Sequence, residues 1–422
     1  MPEIEIMSPA GSFDALMAAI QGGAGSVYFG AGQLNMRARS SSNFSPDDIR
    51  EITRICRENN VKSYLTLNTI IYDEELPVMR EMVHLAKENG VSAIIASDLS
   101  VLEYAKEQGV EIHISTQCNI TNIEAIRFYA RYADVMVLAR ELNISQMEAI
   151  TRAIREQNIT GPSGKPVQIE VFVHGALCMA VSGKCYISLD NFNASANRGA
   201  CQQPCRRAYQ VKDMENQVEL EIDNKYIMSP KDLMTIPILD RLLDAGVTVL
   251  KIEGRGRSAE YVKTVTRTYH EAVEAWKNKQ FSQENVENWT TELNKVYNRG
   301  FWGGYYLGEK TGEWSERYGS QATQKKVYVG KVVNFFTKLN VAEIKMESHS
   351  MKPGDNILVI GPTTGAYEAQ LSEIRVDLAV VEKAVKGENC SIPVTETLRR
   401  GDKVYLVVDA GHTLFQTQKD KF

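Results

Sequence analysis

The sequence predicts an α/β fold, a (β/α)8 barrel followed by a small antiparallel β-barrel domain. Up to residue 280, short apolar runs alternate with longer segments of helical period, and such alternation requires a parallel sheet with crossover helices. Eight apolar runs occur, which is the number that closes a TIM-like barrel, and a doubly wound open sheet is the alternative. From residue 326 onward, period-two strand patterns replace the alternation and indicate the second domain.

The eight candidate strands are short and rich in β-branched and other apolar residues. They span residues 4–7, 26–29, 62–67, 93–96, 111–115, 135–139, 168–173 and 247–252. Helical period occurs at 46–58, 74–88, 123–132, 144–157 and 233–245, and then at 259–280 and 283–298. Ser45 and Asn143 directly precede two of these segments, and both residue types are favoured helix N-caps.

The second domain follows a stretch rich in glycine and aromatic residues, NRGFWGGYYLGEKTGEW. Its strand patterns are VYVGKVV, NVAEIKM, DNILVIG, YEAQLSEI and KVYLVV, with Pro/Gly turns between them. Short strands with such turns are typical of a small antiparallel barrel. We therefore predict a catalytic domain at residues 1–312 and a β-barrel domain at residues 326–422.

Composition excludes some classes of protein. The chain has 422 residues, 43% of them hydrophobic and 24% charged, as in ordinary globular proteins. Its start, MPEIEIMSPAGS, lacks the basic and apolar regions of a signal peptide, and no run approaches about 18 apolar residues. We expect a cytoplasmic protein without membrane contact. The net charge of −5 means that any RNA contact must come from a local basic patch.

Four of the seven cysteines cluster in one loop after the seventh predicted strand. Their spacing is Cys178-x6-Cys185-x15-Cys201-x3-Cys205. Active sites of (β/α)8 enzymes lie at such strand ends, and clustered thiols in a reducing compartment indicate metal or redox chemistry. Zinc favours closely spaced pairs, so the six-residue gap favours an iron–sulfur cluster, with zinc as the alternative. The other cysteines are scattered singly.

Cationic side chains follow several barrel strands or flank the cysteines. They are Arg140, Arg206, Arg207, Lys231 and Arg255. Guanidinium groups bind carboxylates and phosphates in a bidentate fork, so this set predicts an anionic ligand, with solvated surface cations as the alternative. His174 ends the seventh strand and is a candidate proton donor, although a hydrogen-bonded structural histidine explains it equally well. The hydrolase motifs H-E-x-x-H and G-x-S-x-G do not occur.

Several short segments of the chain form a recognisable set. They are EVFVHGALCMAVSGKCYIS at 170–188, SPAG at 8–11, YFG at 28–30, NMRA at 35–38, CRRAY at 205–209, SPKDL at 229–233, KIEGR at 251–255 and NRGF at 298–301. Together these segments resemble the collagenase-like peptidase U-32 family. The resemblance covers essentially the whole chain and is strongest to the tRNA hydroxylation branch of the family.

That resemblance implies a 4Fe-4S cluster on Cys178, Cys185, Cys201 and Cys205. It further implies oxygen-independent 5-hydroxylation of the wobble uridine of tRNA, with prephenate as the co-substrate that supplies the hydroxyl group. On this hypothesis, the carboxylates of prephenate are held by Arg206, Arg207, Lys231 and Arg255. The candidates for proton transfer are His174, Tyr209, Asp232 and Glu253. The β-barrel domain, with Lys325 and Lys326, would help to dock the tRNA.

Two other functions compete with this hypothesis. Older members of the family carry a peptidase label, so a collagenase-like protease is one alternative. A zinc-stabilised, non-catalytic tRNA-binding protein is the other. The sequence leaves open whether a homologous partner subunit or a homo-oligomer is required.

Overall fold

The fold is built on a closed ring of eight parallel strands. The computed structural model describes residues 3–39, 43–210, 228–309 and 312–411. The ring strands are β1 (Glu5–Ala10), β2 (Ser26–Phe29), β3 (Lys62–Leu67), β4 (Ala93–Ala96), β5 (Ile112–Ile114), β6 (Val135–Val137), β7 (Gln168–Gly175) and, after β8 (Asp232–Met234), β9 (Val249–Ile252). β9 pairs in parallel with both β7 and β1, which closes the ring. The predicted (β/α)8 barrel is confirmed, and the open-sheet alternative is wrong.

Helices connect these strands in the expected order. They are α1 (Phe13–Gln21), α2 (Ile49–Glu58), α3 (Leu76–Glu88), α4 (Leu99–Glu107), α5 (Ile123–Tyr129), α6 (Ile144–Glu156), α7 (Ile187–Phe192), α8 (Leu239–Asp244), α9 (Ala259–Lys277) and α10 (Gln283–Lys295). Asn143 caps α6 as predicted, because its side chain accepts a hydrogen bond from the backbone N–H of Gln146. None of the described helices is long and apolar enough to cross a membrane.

The predicted helix at 233–245 is wrong in its first half. Residues 233 and 234 belong to β8, which pairs antiparallel with the end of β7. Ile236–Ile238 then form a 3-10 turn, and α8 begins only at Leu239. The backbone N–H of Thr235 donates to the carbonyl of Val173 in β7, so this N–H group bonds to the sheet instead of to a helix. A short strand, β10 (Phe301–Trp302), then pairs in parallel with β8.

The interior of the barrel holds a small apolar cluster and a buried ion pair. The cluster comprises Met7, Tyr28, Tyr64, Ala93, Ile95, Val135 and Val249. Alternate strand residues such as Ile6 point outward and pack with the helices in a much larger core. The ammonium group of Lys251 lies 2.7 Å from Oε1 of Glu170, and these side chains are only 6% and 0% exposed. Lys251 lies one residue before the end of β9, close to the mouth of the barrel.

The chain ends in a predominantly antiparallel β domain with its own hydrophobic core. Its strands are β11 (Gln324–Phe336), β12 (Val341–Met346), β13 (Ser350–Met351), β14 (Asn356–Gly361), β15 (Gly365–Gln370), β16 (Arg375–Val376), β17 (Ala379–Val380), β18 (Ala384–Val385), β19 (Asn389–Pro393) and β20 (Lys403–Asp409). This confirms the predicted class of the second domain, whereas the boundaries at 312 and 326 stay a prediction. Polar contacts join the barrel to the β domain. The side chain of Gln21 in α1 donates to the carbonyl of Thr364, and Nζ of Lys326 lies 2.7 Å from the carboxylate of Glu260 in α9.

Candidate active site at the barrel mouth

A cavity of about 260 Å³ lies at the carboxyl ends of the barrel strands. We call it the inner cavity. Its wall is formed by the segments that follow β2, β3, β5, β6, β7 and β9, and its floor includes Lys251 and Phe172. Side chains from many separate strands converge there because all parallel strands end on the same face of the barrel. The predicted location of the site is therefore the place where the structure forms a cavity.

All four clustered cysteines line the inner cavity. Cys178 is exposed, the other three are half-buried, and none of them forms a disulfide. Burial raises the pKa of the Cys205 thiol, Arg206 opposes this change, and Cys178, Cys201 and Cys185 add to it. The sulfur of Cys205 is thus close enough to the other three thiols for their charges to affect it.

The loop can reach this position because of a glycine at the end of β7. Gly175 has a φ of 102°, in the left-handed region that disfavours other residues. A Cβ atom at this position would collide with the carbonyl oxygen of Glu253. The chain therefore leaves β7 by passing tightly against the end of β9, and Cys178 follows three residues later.

The cysteines fit a metal centre in type and number. Four thiols are the ordinary ligand set of an iron–sulfur cluster or a structural zinc. Over the described ranges, however, no group of three or more His, Cys, Asp or Glu side chains is arranged to hold a metal ion. The thiols share one cavity wall without forming a closed coordination shell, so the ligand role of the four cysteines stays a proposal.

Arginine side chains surround the thiols. Arg140 stacks on Phe172, with its guanidinium carbon 4.0 Å from the ring centroid, and its Nε atom is buried without a hydrogen-bond partner among the described residues. Arg206 donates to the carbonyls of Leu177 at 2.6 Å and Pro230 at 2.8 Å. These bonds tie the cysteine loop to the segment before β8 and leave the site strongly cationic.

Arg255 is held more deeply than the other cations of the cavity. Its Nη1 atom donates to Asn35 Oδ1 and Thr66 Oγ1, both at 3.0 Å. Burial lowers the pKa of Arg255 to about 10, while Tyr28 and Glu253 oppose this change. The group is still a cation at neutral pH, so it adds to the positive potential of the inner cavity.

Glu253 is the one carboxylate among the described residues that line the inner cavity. Its Oε1 atom lies 2.9 Å from Nη2 of Arg37, and its Oε2 atom accepts a hydrogen bond from the hydroxyl of Tyr28 at 3.2 Å. Burial disfavours ionisation, but Arg37, Arg140 and Arg255 outweigh it and lower the pKa of Glu253 to about 2. The side chain is therefore ionised at neutral pH and is a weak base that orients Arg37.

The Glu253→Gln variant is expected to be less stable than the wild type at pH 7. The pKa of Glu253 in the folded state lies below its unfolded value of about 4.3, so its ionised form stabilises the fold above that pH and this contribution is lost toward pH 2. The expected loss at neutral pH is on the order of 3 kcal/mol. The difference in stability between the variant and the wild type should become smaller below pH 4. Urea unfolding followed by circular dichroism measures this difference.

Glu313→Gln is the matched control, since Glu313 is exposed and pairs with Lys231 outside the cavity. A Glu253→Gln effect that is equally large at pH 7 and pH 3 would show that the stabilisation does not come from ionised Glu253.

The remaining predicted residues lie beside the inner cavity rather than on its wall. Nζ of Lys231 lies 2.7 Å from Glu313. Asp232 is buried and pairs with Arg299 at 3.0 Å. The hydroxyl of Tyr209 donates to the carbonyl of Pro204 at 2.7 Å. Of the set predicted to act on the substrate, the inner cavity brings together Arg140, Arg206, Arg255 and Glu253 with the four cysteines.

His174 is packed among aromatic rings. Its ring lies 5.6 Å from Tyr269, 6.0 Å from Tyr261 and 5.4 Å from Phe301, measured between centroids. Burial lowers its pKa to about 3, and Arg257 contributes. The imidazole is neutral at physiological pH and does not line the cavity, which favours the structural reading of this residue over the proton donor.

Two arginines of the site were not among the predicted residues. Arg37 lines the inner cavity, and Glu253 raises its pKa, with smaller contributions from Cys178 and Cys201. Arg299 lines the same cavity and is positioned by Asp232. Arg37 lies in the segment NMRA and Arg299 in the segment NRGF, both of which carried the family resemblance. Membership of these segments is the sequence signal that could have identified them.

A second depression, which we call the outer pocket, adjoins the inner cavity. It measures about 640 Å³ and is lined mainly by Arg39, Arg206, Arg207, Arg299, Arg317 and Tyr318. The two share Cys201, Gln203, Arg206 and Arg299, so the cysteine loop forms the partition between them. None of the histidines in the part of the chain that the structure describes lines either space.

Residues 11–316 match the profile of Peptidase family U32. The chain belongs to this family. Among U32 relatives, a protein named collagenase from Porphyromonas gingivalis is 56% identical over 403 residues, covering 96% of this chain and 97% of that protein. The tRNA hydroxylation protein P1 of Bacillus subtilis is 29% identical and covers 85% of this chain and 83% of its own length.

A third relative of this U32 chain is the 23S rRNA 5-hydroxycytidine C2501 synthase of Escherichia coli. It is 37% identical over 273 residues, which are 64% of this chain and 39% of that enzyme. The names of the relatives therefore divide between proteolysis and hydroxylation of RNA bases. The match confirms the predicted family, and the chemistry of the site must distinguish the two activities.

Proposed function

We propose that this U32 protein is an RNA-modifying hydroxylase. The specific reaction is the iron–sulfur and prephenate-dependent, oxygen-independent 5-hydroxylation of the wobble uridine of tRNA, carried out in the cytoplasm. One observation carries the proposal, namely that four cysteine thiols converge with several arginines on one cavity at the barrel mouth, with no histidine among its described lining residues. The hydroxylating relatives support RNA as the substrate class.

Cys178, Cys185, Cys201 and Cys205 would hold a 4Fe-4S cluster, which supplies electron-transfer chemistry when bound. The surrounding residues match the charge of such a site. Arg206 and Arg37 lie beside the thiols and would offset the negative charge of four thiolates. Glu253 stays ionised and holds Arg37 in place.

The inner cavity suits a small anionic co-substrate. A guanidinium carries five N–H donors, and Arg255 uses only Nη1 in its bonds to Asn35 and Thr66. Arg140 has a buried Nε without a partner in the part of the chain that the structure describes. These unused donors would bind the carboxylates of prephenate. Lys231 is held by Glu313, and Arg207 lines the outer pocket instead of the inner cavity. The carboxylates would therefore rely on Arg140, Arg206 and Arg255.

Proteolysis is the competing function because of the collagenase name of a relative. A cysteine peptidase needs a base within hydrogen-bond reach of its thiol. Among the described residues, neither cavity has a histidine on its wall, and the carboxylate of Glu253 is paired with Arg37 and has a pKa lowered to about 2. This chemistry does not activate a thiol, so hydroxylation is the function that the site supports best.

The decisive experiment combines metal analysis with nucleoside mass spectrometry. Protein purified without oxygen is expected to contain iron and sulfide rather than zinc. Bulk tRNA from cells that lack the protein, and from cells that cannot make prephenate, is expected to have lost 5-hydroxyuridine. Growth without oxygen should leave the modification intact in the wild type.

The alternatives give different results. Gelatin cleavage that survives removal of iron would favour the peptidase. Zinc in place of iron, with unfolding by a chelator, would favour the non-catalytic RNA-binding protein. Unchanged 5-hydroxyuridine in a strain without this or any related gene would contradict the proposal.

A further inference from the structure

We propose that the outer pocket is a subsite for the phosphate backbone of RNA, next to the nucleotide that enters the inner cavity. This inference rests on the proposed RNA substrate and names the residues that would bind it beyond the reacting base. The key cations are Arg39, Arg207 and Arg317, none of which was needed for the chemistry of the inner cavity.

The charge of the pocket supports an anionic ligand. Five arginines line it, and no Asp or Glu side chain is among its described lining residues. Arg299 is partly neutralised by Asp232, and Arg206 is engaged by backbone carbonyls. Arg39, Arg207 and Arg317 are exposed, and none of them has an ion-pair partner over the described ranges. Exposed guanidinium groups of this kind are the usual contacts to nucleic-acid phosphates.

Aromatic residues make the pocket suited to a polynucleotide rather than to a free anion. Tyr318 is 72% exposed at its edge, and Tyr297 lines its wall. Exposed aromatic rings beside cations bind single-stranded RNA by stacking on its bases. A small carboxylate would contact the arginines alone, whereas a nucleotide flanking the target would contact both the rings and the arginines.

The position of the pocket gives the RNA a route to the cysteines. Cys201, Gln203, Arg206 and Arg299 belong to both spaces. The inner cavity is too small for folded RNA, so the reacting base must leave its stack to enter it. A backbone held in the outer pocket would keep the neighbouring nucleotides in place while that base is inside.

The test compares two double variants that remove the same charge. Arg39→Gln with Arg317→Gln alters the outer pocket. Arg57→Gln with Arg152→Gln alters exposed arginines of α2 and α6, in the parts of these helices that lie away from the barrel mouth. Bulk tRNA is isolated from cells that lack the protein. Its binding to the anaerobically purified full-length protein is then measured at several salt concentrations.

The pocket variant is expected to bind tRNA about tenfold more weakly. The slope of log K against log salt should fall by about 0.7 to 0.9 for each phosphate contact that is lost. The control variant should match the wild type in both quantities. Iron content and prephenate binding should be unchanged in all proteins, because neither pair of residues lines the inner cavity.

The outcomes separate this proposal from the proposed function. If the wild type hydroxylates tRNA but the pocket variant binds it with unchanged affinity and salt slope, the subsite is overturned and the function stands. If the pocket variant binds tRNA more weakly but the wild type forms no 5-hydroxyuridine, the subsite stands and the reaction is overturned. Weaker prephenate binding in the pocket variant, with unchanged tRNA binding, would assign the pocket to the small anion and overturn the subsite.

Discussion

Replacement of Cys201 by Ala is expected to remove both the bound iron and the formation of 5-hydroxyuridine. Cys201 lines the inner cavity together with the other three clustered cysteines, and its loss leaves three thiolates for a cluster that needs four. We expect activity to fall by roughly 100-fold or more, because even the outer partners of metal ligands contribute 10- to 100-fold. Iron and sulfide analysis and nucleoside mass spectrometry measure the two effects.

Cys390→Ala is the matched control for this variant. Cys390 is 1% exposed in the core of the C-terminal domain, and it lines neither the inner cavity nor the outer pocket. Its replacement removes a thiol and should leave both the iron content and the modification intact. A Cys201→Ala protein with full 5-hydroxyuridine formation would exclude a cluster on this loop as a requirement for the reaction.

Replacement of Lys251 by Met is expected to destabilise the barrel by about 3–5 kcal/mol, the usual cost of leaving a buried charge without its partner. Glu170 is fully buried, and its Oε1 atom lies 2.7 Å from Nζ of Lys251. The Oε2 atom of Glu170 has no hydrogen-bond partner within the described residues. The ammonium group also lies 4.8 Å from the ring centroid of Tyr28. Urea unfolding followed by far-UV circular dichroism measures the loss.

Two further variants test the cause of this effect. Lys62→Met breaks an ion pair with Glu5 in which the lysine is 58% exposed, so it should cost no more than about 1 kcal/mol. Lys251→Met combined with Glu170→Leu removes both buried charges and should recover most of the lost stability. A double variant as unstable as Lys251→Met alone would mean that packing, rather than the unpaired carboxylate, causes the loss.

The barrel could be predicted because its signal is local. Each strand is a short apolar run, and strand–helix alternation admits few topologies. The segment at 233–245 failed for the opposite reason. Its helical period is real, but pairing of β8 with the end of β7, some sixty residues earlier in the chain, overrides it in the first half. A periodic pattern does not reveal a distant strand that competes for the same backbone groups.

The site was predicted unevenly for a similar reason. The cysteines are recognisable because their clustering and their place after β7 are both visible in the chain. The sequence could not show that Lys231 and Asp232 lie outside the cavity. Lys231 pairs with Glu313 and Asp232 with Arg299, and both partners are far away in the chain. Arg37 was overlooked because its importance depends on contact with Glu253, which is 216 positions further on.

The sequence by itself determined the barrel, the β domain after it and the presence of four cysteines in a loop at the barrel mouth. Periodicity and spacing are properties of neighbouring residues, so they survive without coordinates. Only the tertiary structure decided which cations face those cysteines, that His174 is enclosed by aromatic rings, and that an arginine-lined pocket adjoins the cavity. The physical reason is that the charge and burial of a side chain are set by partners brought together across the ring of strands.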